Sequence, residues 1–232
     1  MRMKGQDMIQ AAIFDMFETL ITHYESPLYF GSQMAKDAGI PEEKFLPFWN
    51  ASEDDRTMGK ITFQETVEMI LRQNQCYSEE LFQEIVGKRV AAKEACFQHL
   101  HPEIISMLSV LKEKGILVGL ISNCFSEEAE VIRKSVLFPY FDAVFLSYEQ
   151  GIRKPDEEIF KRCMTELSVR AEDCLYVGDG GSYELETATK LGMNAVQAVW
   201  YFKEGILQPS QRNQDFFQLE SPLEVLNYLT ID

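Results

Sequence analysis

Ile9-Gln10-Ala11-Ala12-Ile13-Phe14-Asp15-Met16-Phe17-Glu18-Thr19-Leu20 is a short apolar, β-prone run that gives way to a turn at an aspartate, with a hydroxyl residue close behind. In an open α/β sheet the ends of the strands carry the ligand site, and a carboxylate emerging there can face a phosphate. An aspartate closing a strand is ordinarily a turn or cap residue. Asp15 is more than that only if the rest of the chain brings further polar groups to the same edge.

Outward from this run the chain divides in two. From Tyr24 to about Leu100 the spacing of apolar residues is helical, as in Ser26 to Lys36, Thr62 to Arg72 and Ser78 to Val90, where Ser78 and Glu80 mark a capped helix start. From Pro102 on, helical segments alternate with short apolar runs: Ile116 to Ser122, Ala143 to Ser147, Cys174 to Asp179 and Ala195 to Val199. Alternation of this kind predicts right-handed crossovers and a parallel sheet. The strand before Asp15 must join that sheet, so the helical stretch is an insertion after the first strand, hanging over the strand ends. Asp215 to Leu219 reads as an edge strand, and the segment from Pro222 as a closing helix. The expected division is a core of residues 1–21 and 100–232 and a helical domain of residues 22–99.

Composition narrows the function. The 232 residues carry 22 basic and 37 acidic side chains, a net charge of −15. That field opposes nucleic acid and anionic membranes, while a small phosphorylated substrate needs only local positive charge or a bound cation. Five cysteines without a C-x-x-C pair support neither a disulfide framework nor a zinc site, and read as the reduced thiols of a cytoplasmic protein. The opening Met1 to Asp7 has no signal-peptide stretch and is expected to run directly into the first strand; no run reaches membrane-spanning length. Nothing in the pattern assigns an oligomeric state.

Three further clusters sit at strand ends. Ser122-Asn123 offers a hydroxyl and an amide, able to bond a phosphoryl oxygen or simply to make a turn. In Arg153-Lys154-Pro155-Asp156, the proline suggests a helix's first turn, where a lysine can hold a fixed positive charge toward an anion. Val177-Gly178-Asp179-Gly180-Gly181-Ser182-Tyr183-Glu184 is a strand opening into a glycine-rich turn with two carboxylates, hard oxygen ligands suited to magnesium.

In this order and on these strand ends, the four clusters resemble the motifs of the haloacid dehalogenase superfamily, mostly phosphatases with a Rossmann-like core and a mobile cap. The likeness covers nearly the whole chain, and the insertion after the first motif resembles the family's helical cap. It implies an α/β fold with Asp15 as a nucleophile that becomes phosphorylated and with Ser122 and Lys154 holding the transferring group. It also implies Mg2+ bound by Asp15, Asp179 and the backbone carbonyl of Phe17, with Glu184 a direct or water-mediated partner. Phe17, Thr19, Asn123, His23 and Arg56 are then candidate substrate-binding residues, Arg56 by pairing with an anionic group from a loop, Glu53 to Lys60, that overhangs the site.

One position departs from the pattern. The family's phosphatases usually carry a second aspartate two residues after the nucleophile, as proton donor and then as base; here it is Phe17. Loss of a general acid costs typically about 10² to 10⁴ in rate. One reading is a phosphatase with a substituted donor, Glu18 or His23, although His23 just past the strand end also reads as a solvent-facing hinge residue, or with a substrate such as an acyl phosphate whose leaving group needs little help. A second is carbon-halogen cleavage, where an aromatic residue at this position is normal but Asp179 and Glu184 are not, or carbon-phosphorus cleavage through a cap lysine, for which Lys36, Lys44 and Lys60 are available. A third is a protein that binds a phosphorylated metabolite or partner without turning it over. His99 and His101 suggest a hinge, not a metal site, and Phe125 a pocket floor.

Overall fold

The computed structural model describes residues 9–205, 208 and 210–229; the stretch before Ile9, and with it the expected direct run into the first strand, lies outside the described residues. A parallel sheet of six strands, ordered β3-β2-β1-β4-β5-β6, forms the centre: β1 Ala11–Phe14, β2 Leu117–Ser122, β3 Ala143–Leu146, β4 Cys174–Gly178, β5 Asn194–Ala198 and β6 Phe217–Leu219. The four residues of β1 are all fully buried, because strands flank it on both sides and helices cover both faces.

Alternate residues of β1 serve the two faces. Ala12 and Phe14 pack with α6 (Ile104–Glu113), α7 (Ser126–Lys134) and the C-terminal segment through Val225; Ala11 and Ile13 pack with α9 (Glu157–Leu167) and α10 (Glu184–Leu191). The expected edge strand is present, while Pro222–Tyr228 closes the chain as a 3-10 helix.

Between β1 and α6 lie α1 (Gly31–Asp37), α2 (Glu42–Ala51), α3 (Glu53–Thr57), α4 (Phe63–Gln73) and α5 (Glu79–Cys96). They bury a cluster of their own around Met34, Phe45, Trp49, Phe63, Val67, Ile70 and Ile85. Thr62 caps α4 by accepting from Glu65 N, and Ser78 caps α5 by accepting from Leu81 N.

Two local expectations are corrected. Glu53 to Lys60 is not simply a loop: Glu53–Thr57 is helical, with Glu53, Asp54 and Asp55 in a first turn whose dipole favours acidic residues. The turn appears only at Met58 to Lys60, where Gly59 adopts φ +70° and a Cβ would collide with the Tyr148 carbonyl oxygen. Pro155 likewise lies outside the first turn of α9; Asp156 is the cap, accepting from Glu158 N at 2.9 Å, and the Lys154-Pro155 bond is cis.

Candidate active site

Asp15, Ser122 with Asn123, Lys154 and Asp179 all come to the carboxyl end of the sheet. After β1 the backbone makes one tight excursion, with Leu20 N and Ile21 N both donating to Met16 O and Glu18 at φ +56°. This turn holds Asp15 at the strand end, where Oδ1 accepts from Met16 N at 2.7 Å. Oδ2 has no hydrogen-bond partner among the described residues.

Lys154 is buried, and its Nζ forms an ion pair with Asp15 Oδ1 at 2.6 Å. Its position is set by Asn123, which accepts from Lys154 N through Oδ1 at 2.8 Å and donates Nδ2 to Lys154 O at 3.1 Å. Burial opposes the charge on Lys154, but the carboxylates of Asp15, Glu184 and Asp179 outweigh it and raise its pKa.

Carboxylate oxygens of Asp15, Asp179 and Glu184 lie within 4.8 Å of one another, all three residues buried. Burial first, and then the Glu184 charge, push Asp15 up to about 6 against the pull of Lys154. Burial, with Glu184 and Asp15, pushes Asp179 well up too. A buried set of hard oxygen donors carrying more negative charge than its lone lysine balances fits a divalent cation such as magnesium. Both oxygens of Glu184 are partly spoken for, accepting from Gly180 N at 2.8 Å and Ser182 N at 2.7 Å. Gly178 leaves room for that loop: a Cβ there would lie 2.9 Å from Glu184 Oε1.

A cavity of about 340 Å³ opens over this edge, bounded on the core side by Asp15, Phe17, Asn123, Lys154 and Asp179 and on the helical side by Trp49, Glu53, Arg56, Arg89 and Lys93. Of the sequence-derived residues, Ser122, Thr19 and Glu184 are fully buried and do not border the cavity; Thr19 Oγ1 has no partner, and Ser122 Oγ reaches only Asn123 O at 3.5 Å. Phe125 borders it as expected. Lys36, Lys44 and Lys60 do not, and Lys60 is an exposed partner of Asp55.

His23 is no solvent-facing hinge residue. Its ring stacks on Phe17, centroids 4.7 Å apart, with Nε2 2.6 Å from Lys93 Nζ and Nδ1 3.2 Å from Glu18 Oε1. Since a lysine ammonium only donates, Nε2 accepts and Nδ1–H faces Glu18. Burial, then the Lys93 charge, lower the His23 pKa and keep the ring neutral.

The sequence reading missed the residues facing it across the gap. Arg89 and Lys93 on α5 are buried and paired with α7: Arg89 with Glu127 at 2.9 Å and Glu128 at 3.0 Å, Lys93 with Glu128 at 2.7 Å. Lys93 and Arg89 outweigh burial and hold Glu128 down at about 2. The signal was present: Ile85, Arg89, Lys93 and Cys96 share one helical stripe, so two charges stand where apolar residues are expected. No helix among the described residues is long and apolar enough to cross a membrane, and all five cysteines are free.

This parallel sheet, its helical insertion and four polar strand ends are those of the haloacid dehalogenase-like hydrolases: residues 9–192 match that family, and the chain belongs to it. Among curated relatives, a glyceraldehyde 3-phosphate phosphatase of Methanocaldococcus jannaschii is 33% identical over 98 residues, 42% of this chain and 43% of the relative. The human N-acylneuraminate-9-phosphatase is 32% identical over 161 residues, 63% of each chain. The chain thus spans under two thirds of the length of either relative. Among solved structures, a HAD family enzyme of Bacteroides thetaiotaomicron superposes with a TM-score of 0.66 at 22% identity, covering 85% of this chain and 95% of its own; that enzyme has also been solved with magnesium and inorganic phosphate, at a TM-score of 0.59.

Proposed function

We propose that the chain is a magnesium-dependent phosphatase of small phosphorylated metabolites, working through a phosphorylated Asp15. The observation that carries this reading is the pairing at the end of β1. A carboxylate with one oxygen free among the described residues stands 2.6 Å from a buried ammonium. The phosphatase names of the curated relatives support it.

On this reading the phosphoryl oxygens bind Lys154, whose position Asn123 fixes, and Ser122 adds its hydroxyl from the buried strand end behind the cavity wall. Asp15 Oδ2 attacks phosphorus, an Asp–O–P bond forms, and the ester P–O bond breaks. Phe17 has no proton to give, so the leaving oxygen takes one from water unless it departs as a stable anion. Water then attacks the acyl phosphate, releasing inorganic phosphate and restoring the carboxylate. Magnesium, held by Asp15, Asp179 and the Phe17 carbonyl with Glu184 as a direct or water-mediated partner, would neutralise charge on the transferring group. Thr19 supports the turn under Asp15, and His23 lines the substrate side. Residues 22–99 are the cap, closing over a core of residues 1–21 and 100–232, with Arg56 meeting the substrate's far end.

Carbon-halogen cleavage is the second reading, favoured by Phe17. It ranks lower because attack on carbon needs no cation, and the Asp15, Asp179 and Glu184 cluster would stay uncompensated. Carbon-phosphorus cleavage finds one cap lysine at the cavity, Lys93, but its ammonium is engaged by Glu128 and His23.

The test is phosphate release from a panel of phosphate monoesters and acyl phosphates, with magnesium or with chelator. Turnover that needs magnesium and disappears in Asp15→Asn is expected, fastest on acyl phosphates. No release from any compound by folded protein overturns the proposal.

A further inference from the structure

Arg56 is buried to 1% exposure without an ion-pair partner among the described residues. Its guanidinium lies against two aromatic rings set nearly perpendicular to each other, 3.4 Å from the Trp49 ring centroid and 4.6 Å from that of Phe125. One donor is used, Nη1 to Ser52 Oγ at 3.2 Å; Nε is buried with no hydrogen-bond partner among the described residues. Burial lowers its pKa to about 10, so the cation carries an unmet electrostatic demand. The residue borders the same cavity as Asp15 and Lys154, from the opposite, helical wall. The other two cap cations at this wall, Arg89 and Lys93, are already paired with Glu127 and Glu128.

We propose that Arg56 selects substrates bearing a carboxylate at the end remote from the phosphoryl group, so that the compound turned over is a phosphate ester of a small hydroxy acid or an acyl phosphate of a small dicarboxylic acid. The inference rests on the phosphatase reading for the phosphoryl end alone. The guanidinium's donors lie in its own plane, and a pair of them matches the two oxygens of a planar carboxylate. A second phosphate fits less well, because Glu53 and Glu128 share the wall and oppose a dianion. A cavity of about 340 Å³ holds a metabolite of this size.

The matched probes are 3-phosphoglycerate and glycerol 3-phosphate, which differ in a carboxylate against a hydroxymethyl group, with fructose 1,6-bisphosphate as the second-phosphate probe. Calorimetric titration into Asp15→Asn with magnesium reads binding apart from turnover. The acid is expected to bind at least about tenfold tighter than glycerol 3-phosphate, the scale of one charge-assisted contact. In Asp15→Asn/Arg56→Met that ratio should fall to within about twofold; because it is taken within one protein, general losses cancel. Should the methionine variant not fold, Arg56→Lys, which keeps the charge but loses the planar edge, is expected to give an intermediate ratio. Equal affinity for the two esters with Arg56 intact, or a bisphosphate bound as tightly as the acid, overturns the inference. Wild-type turnover of both esters without preference also overturns it and leaves the phosphatase reading standing. Preferential binding of the acid with no phosphate release by wild type does the reverse.

Discussion

The molecule buries two charged clusters a short distance apart, and they are built on opposite principles. At the strand ends three carboxylates, Asp15, Asp179 and Glu184, face a single ammonium, Lys154. Between α5 and α7 the charges match: Arg89 and Lys93 against Glu127 and Glu128, with most donors and acceptors engaged. In the first cluster burial, and after it mutual repulsion, raises the Asp15 and Asp179 pKa values. The second holds a cap helix to the core. An unbalanced buried cluster is costly to fold and is completed by what it binds; a balanced one is completed by the fold itself.

The contrast makes mutations at the two sites differ in sign. Asp179→Asn should lower magnesium-dependent turnover by about 10³-fold or more, the scale of several kcal/mol of lost charge stabilisation. In chelator its melting temperature should stay level or rise, because a repulsive charge is gone. A fall in both would show that Asp179 is structural. Arg89→Met should do the opposite, destabilising by about 3 to 5 kcal/mol in denaturant titration because Glu127 and Glu128 are left buried without their partner. A loss under 1 kcal/mol would mean the cap is held by its apolar contacts alone.

Phe17 stands between the clusters, with its ring on His23 and Lys93 Nζ 5.5 Å from its centroid. Phe17→Asp should raise turnover of alkyl phosphates by about tenfold while changing acyl phosphates little, since only the former need a proton donor. An equal change on both would place the deficit elsewhere. The smallest effect is expected at Lys60→Ala, which removes an exposed pair with Asp55 and should shift stability by less than about 1 kcal/mol.

The balanced cluster was the less legible of the two in sequence, for a physical reason. Asp15, Ser122 and Asp179 each end an apolar strand, so local pattern alone placed them on one edge of a parallel sheet, whereas the order of the strands came only from the structure. Ser78 announced α5 by cap chemistry, while the cap at Thr62 emerged only in the structure. Arg89 and Lys93 lie within one helix, but their partners lie in another reached only through the tertiary fold, and the stripe they share with Ile85 and Cys96 was the only local trace. Arg56 was recognised as a cation near the site but assigned to a loop. Its short helix depends on three acidic residues in the first turn, and its burial on Trp49 and Phe125 arriving from separate elements. His23 was read as exposed because nothing in sequence shows that Phe17 gives it a surface to stack on.

The central claim is that Asp15 attacks phosphorus. Protein mixed with an acyl phosphate and magnesium, quenched in acid during turnover and digested for mass spectrometry, tests it most directly. A phosphoryl adduct on the peptide carrying Asp15, absent with chelator and in Asp15→Asn, is the predicted result. Phosphate release without any adduct on that peptide would contradict the account.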